Sequence, residues 1–359
     1  MSCCNSEIGF HPLSKQSFEQ LRCRLLKLGA DMRRREFLGL LSGTAALPLA
    51  ARAQQGERVR RVAVLMPYPP GDAESQARVR AFREELRKRG WASGVNVQFD
   101  ERWTIDNMDL IRSAAANLVE LKPDAILAVG GRVIPVLMQM TRSIPIVIPG
   151  GVDPVGRGWA ETMARPGGNI TGFTTMELSV IGKMLQTLKE MVPNIARVAI
   201  VCNPDNPEAA VFARSFQAAA ETLSVEPIVS YVHSIAEIER AVTTVAAQPN
   251  GGIFFPLDLT VHAFMEQTIA LVAQYRLPAI YSEGFAVGRG GLMFYGADRI
   301  EIYRRAASYI DRILRGEKPG DLPYQQPTKY DLVINRKTAN SLGLEIPPKL
   351  LFTADEVIE

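Results

Sequence analysis

The sequence predicts an α/β protein of two similar doubly wound (Rossmann-like) lobes with parallel sheets, joined by a multi-segment hinge. Three observations lead there. Short apolar runs alternate with longer amphipathic stretches, which is how buried parallel strands and their covering helices read. That rhythm runs through residues 59–148, breaks at a glycine-rich connector and restarts after Thr175. The tail beyond 292 does not extend the second round but supplies elements for both halves.

In the first half, residues 62–66 form a continuous apolar strand ended by Pro67-Tyr68-Pro69-Pro70-Gly71. Residues 74–89 read as a helix, with Val79, Phe82 and Leu86 on one face and Gly90 at its end. Val95, Val97 and Phe99 alternate as a strand, and Asp106 can cap a helix carrying Leu110, Ile111, Leu118 and Leu121. Residues 124–129 are a third strand, Gly130-Gly131 a turn and 132–141 a helix. The connector at 144–175 opens with a fourth strand, 144–148, and breaks at Gly150 and Gly151. Asp153-Pro154 then predicts a short helix, stopped by Arg165-Pro166-Gly167-Gly168, before a second extended run at 169–175.

The second half repeats the pattern. Helices are predicted over 177–191, 208–223, 235–247 and 261–276, with strands over 197–202, 227–232, 252–255 and 278–281. A glycine-rich segment, 284–291, precedes a strand at 292–295 and an amphipathic helix at 299–314 with Ile302, Ala306, Ile310 and Ile313 in line. Extended chain at 323–326 and a strand at 330–334 complete the pattern; elements shared between lobes imply several crossing segments acting as a hinge.

The first 53 residues stand apart. Met32-Arg33-Arg34-Arg35-Glu36-Phe37-Leu38 sets a cationic run before a short apolar one, and Ala51-Arg52-Ala53 offers a signal-peptidase site. The arrangement resembles a twin-arginine signal, and the apolar run is shorter than the roughly 20 residues a bilayer requires. Met32 is a plausible start, with 1–31 a misassigned extension. Eight of the 41 Lys and Arg and four of the 38 acids lie before residue 54, so the remainder holds 33 basic and 34 acidic residues. With a net charge near zero it carries no footprint for nucleic acid. Cys3, Cys4 and Cys23 fall in the leader, leaving Cys202 with no partner for an intrachain disulfide. No lipoprotein-type cysteine follows the apolar region, so the expected product is a free periplasmic protein, cleaved near Ala53, with no stable membrane insertion.

In open parallel sheets, ligands bind beyond the carboxyl ends of strands. That makes candidates of Tyr68, Gly130, Gly131, Arg132, Gly151 and Asp153 in the first half, and Asn203, Asp258, Ser282 and Glu283 in the second. Gly130-Gly131 before a helix offers N–H groups and a positive dipole end to a carboxylate, and Arg132 could add a charge-assisted pair. The same residues also fit a plain tight turn with Arg132 in solvent. Asp153 reads as a helix cap, a ligand neighbour or both, and Asp258 as an ammonium partner or a cap. Tyr68, Trp159, Tyr281 and Tyr295 could pack an apolar ligand body or belong to the core. Beyond the leader only His233 and His262 remain, and neither a nucleophile elbow nor a phosphate loop is present. A binding protein without metal or cofactor is therefore favoured over an enzyme.

Residues 60–359 resemble the substrate-binding proteins of ABC transporters with the type 1 periplasmic-binding fold, in the group related to tryptophan and tyrosine uptake proteins. The resemblance is carried by Ile144-Pro145-Ile146-Val147, Asp153-Pro154-Val155-Gly156, the run 164–172 (ARPGGNITG) and Asn203-Pro204-x-Asn206-Pro207. Gly290-Gly291-Leu292-Met293, Tyr295-Gly296, Gln326-Pro327-Thr328 and Asn340-x-Leu342-Gly343-Leu344-x-Ile346-Pro347 also fit. Arg132, and the approach Pro149-Gly150-Gly151, depart from the usual form. The resemblance implies a monomer that closes on a small organic solute, an amino acid or an aromatic or branched carboxylate, and presents it to ABC permease subunits. It also implies about three hinge crossings, placed at Thr171, Gly172, Tyr295 and Gln326, with one lobe at 58–172 plus 294–324 and the other at 173–293 plus 325–359. A sensor docking on a receptor and an enzyme using the same cleft are the alternatives.

Overall fold

The computed structural model describes residues 58–359; the leader, with its expected twin-arginine motif and cleavage site, lies outside the described residues. Five strands, β1 (Arg60–Met66), β2 (Val97–Trp103), β3 (Ala125–Ala128), β4 (Ile146–Gly151) and β5 (Ile170–Thr174), form a parallel sheet in the order β2-β1-β3-β4-β5. Between them run α1 (Ala73–Lys88), α2 (Met108–Glu120) and α3 (Val133–Met140). Strand β1 shows why its sequence is apolar throughout: Val62, Val64 and Met66 enter one buried cluster, Ala63 and Leu65 another on the opposite face.

The second sheet has seven strands. These are β6 (Arg197–Cys202), β7 (Glu226–Tyr231), β8 (Gly251–Phe255), β9 (Ala279–Tyr281), β10 (Met293–Gly296), β11 (Asp331–Asn335) and β12 (Glu356–Ile358), in the order β12-β11-β10-β9-β8-β6-β7. Only the β10–β11 pair is antiparallel. Its helices are α4 (Ser179–Met191), α5 (Ala209–Thr222), α6 (Ile235–Ala246), α7 (Leu259–Ala263), α8 (Met265–Gln274) and α9 (Phe285–Gly288). Helix α10 (Arg299–Leu314) follows β10 but packs on the first sheet, where Ile302, Tyr303, Ala306 and Ile310 join Val62 and Phe82. The chain then returns, and α11 (Arg336–Ser341) and α12 (Pro348–Thr353) accompany the second sheet.

Chain passes between the lobes three times, at 175–178, 297–298 and 326–330. Lobe boundaries shift accordingly. Residues 173 and 174 stay in β5 of the first sheet, and 294–296 belong to β10 of the second, because each is hydrogen-bonded there. Thr171 and Gly172 thus lie inside a sheet, not at a crossing: Thr171 is fully buried, and its hydroxyl donates to the Leu322 carbonyl at 2.6 Å. Tyr295 and Gln326 do flank the second and third crossings, Tyr295 stacking on Tyr330 with ring centroids 6.0 Å apart.

Other expectations change locally. No helix follows Asp153-Pro154; Asp153 takes a left-handed φ of 49° and accepts from the Gly156 N–H at 2.9 Å, giving a series of turns. Asn107, not Asp106, caps α2. The helix expected over 261–276 breaks at Phe264 into α7 and α8. Among the described residues, no helix is long and apolar enough to cross a membrane.

Candidate functional site

The carboxyl ends of both sheets converge on one cleft. Its inner cavity measures about 70 Å³, room for about five waters at ~10–15 Å³ each. Eight of the expected residues line it: Tyr68, Gly130, Gly131, Arg132 and Gly151 from the first lobe, and Asn203, Asp258 and Glu283 from the second. Asp153 does not, because its carboxylate is turned into its own turn. Ser282 faces a small space beside the second crossing, its hydroxyl on the Met184 sulfur at 3.7 Å. Outside the inner cavity the cleft widens to about 600 Å³, lined partly by Pro67, Pro69, Met108 and Phe264.

The glycines leave room that neighbouring side chains fill. At Gly131 an added Cβ would lie 3.0 Å from the Glu208 carboxylate and 3.3 Å from the Arg157 guanidinium, so its bareness lets these two side chains meet over the turn. At Gly151 a Cβ would press on the Trp159 ring at 2.9 Å. Trp159 is therefore a buried layer beneath the cleft floor, with Arg157 over its face at 4.5 Å. Tyr281 is likewise core, stacked on Phe255, whereas Tyr68 lines the cleft with its ring edge-on to His262 at 4.9 Å. No side chain caps α3, and the amides of Gly131 and Arg132 have no intramolecular acceptor among the described residues.

Three of the four cleft carboxylates are already engaged. Asp106 pairs with Arg132 at 3.0 Å within the first lobe, which takes Arg132 out of open solvent. Asp258 caps α7, one oxygen accepting from the Thr260 and Val261 N–H groups at 2.9 and 3.1 Å. Its other oxygen accepts from the Asn203 N–H and the Asn206 side-chain amide, both at 3.0 Å. Burial pushes the Asp258 pKa up even so. Asp258 is a brace joining the turns after β6 and β8, and its two oxygens are occupied. Asn203 shares that task, donating through its side chain to Thr260 at 2.8 Å.

Glu283 belongs to an ionic clasp between the lobes. Its carboxylate meets Arg78 of α1 at 2.7 Å, Arg299 at the start of α10 at 2.8 Å and His262 of α7 at 3.4 Å. His262 in turn meets Asp72, the cap of α1, at 3.1 Å. Arg78, Glu283 and His262 are all at most 7% exposed. Burial alone would raise the Glu283 pKa, but Arg78, Arg299 and His262 hold it well below the usual carboxylate range. Burial alone would lower His262, but its bonds to Asp72 and Glu283 raise it to about 10, so it is a cation at neutral pH. Asp72 is held low mainly by His262 and Ser75 against its own burial.

Glu208, Arg157, Asp72, Arg78, His262 and Arg299 are the site residues that sequence reasoning missed. Arg78 carried one faint signal, a charge beside the apolar positions Val79 and Phe82 of α1. Glu208 carried none, since an acid at the start of a helix has an ordinary reading.

The family of ABC transporter substrate binding proteins matches residues 62–358. A tyrosine-binding protein of Clostridioides difficile (strain R20291) is 23% identical over 266 residues, covering 74% of this chain and 76% of that one. A conserved domain protein of Vibrio cholerae superposes with a TM-score of 0.78 at 26% identity, over 84% of this chain and all of that one. An ABC domain in complex with L-Trp from Streptococcus pneumoniae reaches 0.77 at 22% identity, over 83% and 99% of the two chains. A ligand-free, open substrate binding protein from Clostridium difficile reaches 0.63 at 21% identity, over 84% and 99%. With the match running through both lobes and the cleft between them, this chain belongs to the ABC transporter substrate binding protein family.

Proposed function

We propose that the protein is the exported solute-binding component of an ABC uptake system, which closes its lobes around one amino acid or related small carboxylate and delivers it to membrane permease subunits. One observation carries this reading: a single cleft is walled by groups from both lobes, which are joined by three short crossings. A ligand bridging both walls stabilises the closed form by the contacts it makes only there. The chemistry of the walls suits a small carboxylate. The amides of Gly131 and Arg132 can donate to its oxygens, and the wider outer cleft, where Pro67, Met108 and Phe264 stand among polar residues such as Asn107 and Thr260, has room for a side chain of mixed character such as a phenol or indole. Tyrosine and tryptophan, named for two relatives, are the first ligands to try. Catalysis is not part of this proposal: both ring nitrogens of His262, the histidine of the clasp, face carboxylates, Asp72 and Glu283. Export rests on the leader, and the protein acts outside the cytoplasmic membrane.

A thermal-shift screen of the protein from residue 54 onward, against the common amino acids and aromatic acids, tests the reading. The expected result is a rise in melting temperature with at least one amino acid, and the same compound in native mass spectrometry of the purified protein at one per chain. Folded protein that responds to none of them would refute it.

A further inference from the structure

We propose that Glu208 selects the ligand, its carboxylate receiving a cationic nitrogen, such as the ammonium group of an amino acid, in the inner cavity. The inference rests on the solute-binding reading above and adds the residue and the ligand chemistry. It follows first by elimination. Four carboxylates line the inner cavity, Asp106, Glu208, Asp258 and Glu283. Asp258 has four N–H donors on its two oxygens, Glu283 has two guanidinium groups, and Asp106 has Arg132. Glu208 is the least tightly held of the four, with one guanidinium and no hydrogen bond. Its carboxylate accepts no hydrogen bond from its own helix or from any other described residue; its salt-bridge partner, Arg157, stands 3.6 Å away, and Asp258 and Arg299 act on it from farther off with opposite signs.

Arg157 divides its contacts. It donates to the Gly131 carbonyl at 3.2 Å and lies over the Trp159 ring, a position that keeps it beside Glu208 without closing a hydrogen bond. The Glu208 side chain is 15% exposed, and burial pushes its pKa up more than Arg157 pulls it down. A mostly buried carboxylate so loosely paired has capacity for a further donor. Position completes the argument. Glu208 reaches from the second lobe to the bare backbone of Gly131 in the first, next to the unsatisfied amides at the start of α3. An α-amino acid carries its ammonium and carboxylate on one carbon, so both ends meet complementary groups within this small space. The ligand would then touch both lobes through its two charged ends, which links recognition to closure.

The test compares amino acids with their desamino analogues by isothermal titration calorimetry. The pairs are L-tyrosine with 3-(4-hydroxyphenyl)propionate and L-tryptophan with indole-3-propionate, each on the wild type and Glu208→Gln. Glutamine keeps the shape and removes the charge; its melting temperature reports that the fold is intact. The wild type should prefer the amino acid of a pair, and Glu208→Gln should cut that preference by about 30-fold or more, the loss typical of a truncated buried charge pair. Affinity for the desamino analogue should stay within about threefold. If both members of a pair weaken in parallel, Glu208 is only a bridge to Arg157 and the proposal falls. The proposal also falls if the ratio is unchanged. If the folded wild type binds none of the four compounds, the aromatic amino-acid reading fails first and takes this assignment with it.

Discussion

Gly172 and Gly131 carry opposite meanings for substitution. At Gly172, φ is 155° and an added Cβ would sit 2.3 Å from the carbonyl oxygen and 2.7 Å from the amide nitrogen of Ile148. Those atoms belong to β4, paired with β5 here, and cannot move without breaking the ladder. Gly172→Val is therefore expected to lower stability by on the order of 3 kcal/mol or more, read as a shift of the urea midpoint. An unchanged midpoint would return Gly172 to a hinge role. At Gly131 the clashing atoms are the ends of two flexible side chains, so the same kind of change spares the fold and disturbs only the Arg157–Glu208 approach. The sequence pattern Gly-Asn-Ile-Thr-Gly marks a special backbone near 172, but it cannot say whether the glycine serves motion or close packing. That depends on what lies across the sheet.

Elements were legible to the degree that local chemistry fixes them. Residues 197–202 form a strand and 299–314 a helix, as an apolar run and a stripe of Ile302, Ala306, Ile310 and Ile313 indicate. The failures have local causes too. Residues 153–160 carry a helix-like Asp-Pro start, yet Asp153 adopts a left-handed conformation and spends its carboxylate on Gly156. From its place in the sequence Asp258 fits an ammonium partner and a helix cap alike, and its four N–H donors come partly from Asn203 and Asn206, which only the fold brings near. As a cap and a tie between turns at once, Asp258 makes a stability prediction. Asp258→Ala removes bonds to a charged acceptor at the start of α7 and should cost about 2–3 kcal/mol in urea unfolding. A cost below about 0.5 kcal/mol, the range of neutral surface changes, would mean that water replaces it freely.

At the scale of the whole molecule, the clasp between lobes was the least legible feature and has the widest consequence. Arg78 and Glu283 are 205 residues apart, and no spacing rule links them. Asp72, Arg78 and Arg299 ride on helices of the first lobe; His262 and Glu283 follow strands of the second. Neither lobe buries these charges alone, so opening the cleft hydrates them and closing it pairs them. The balance therefore depends on pH. His262 has a raised pKa in the closed form, so its contribution to closure is fully present below its ordinary value near 6.5 and is lost as pH rises through about 10. Asp72 and Glu283 are held low; their contributions are present above the usual carboxylate range and fail only in strong acid. Small-angle scattering of the ligand-free protein should accordingly show a compact form at pH 6 and a rising radius of gyration between pH 7 and 10. Glu283→Gln leaves Arg78 and Arg299 without their shared anion, a loss that costs several kcal/mol when charges are buried. That variant should be expanded already at pH 6 while each sheet keeps its own core and its circular dichroism. A wild type whose radius is flat across this range, and unchanged in Glu283→Gln, would show that the crossings alone set the angle between the lobes.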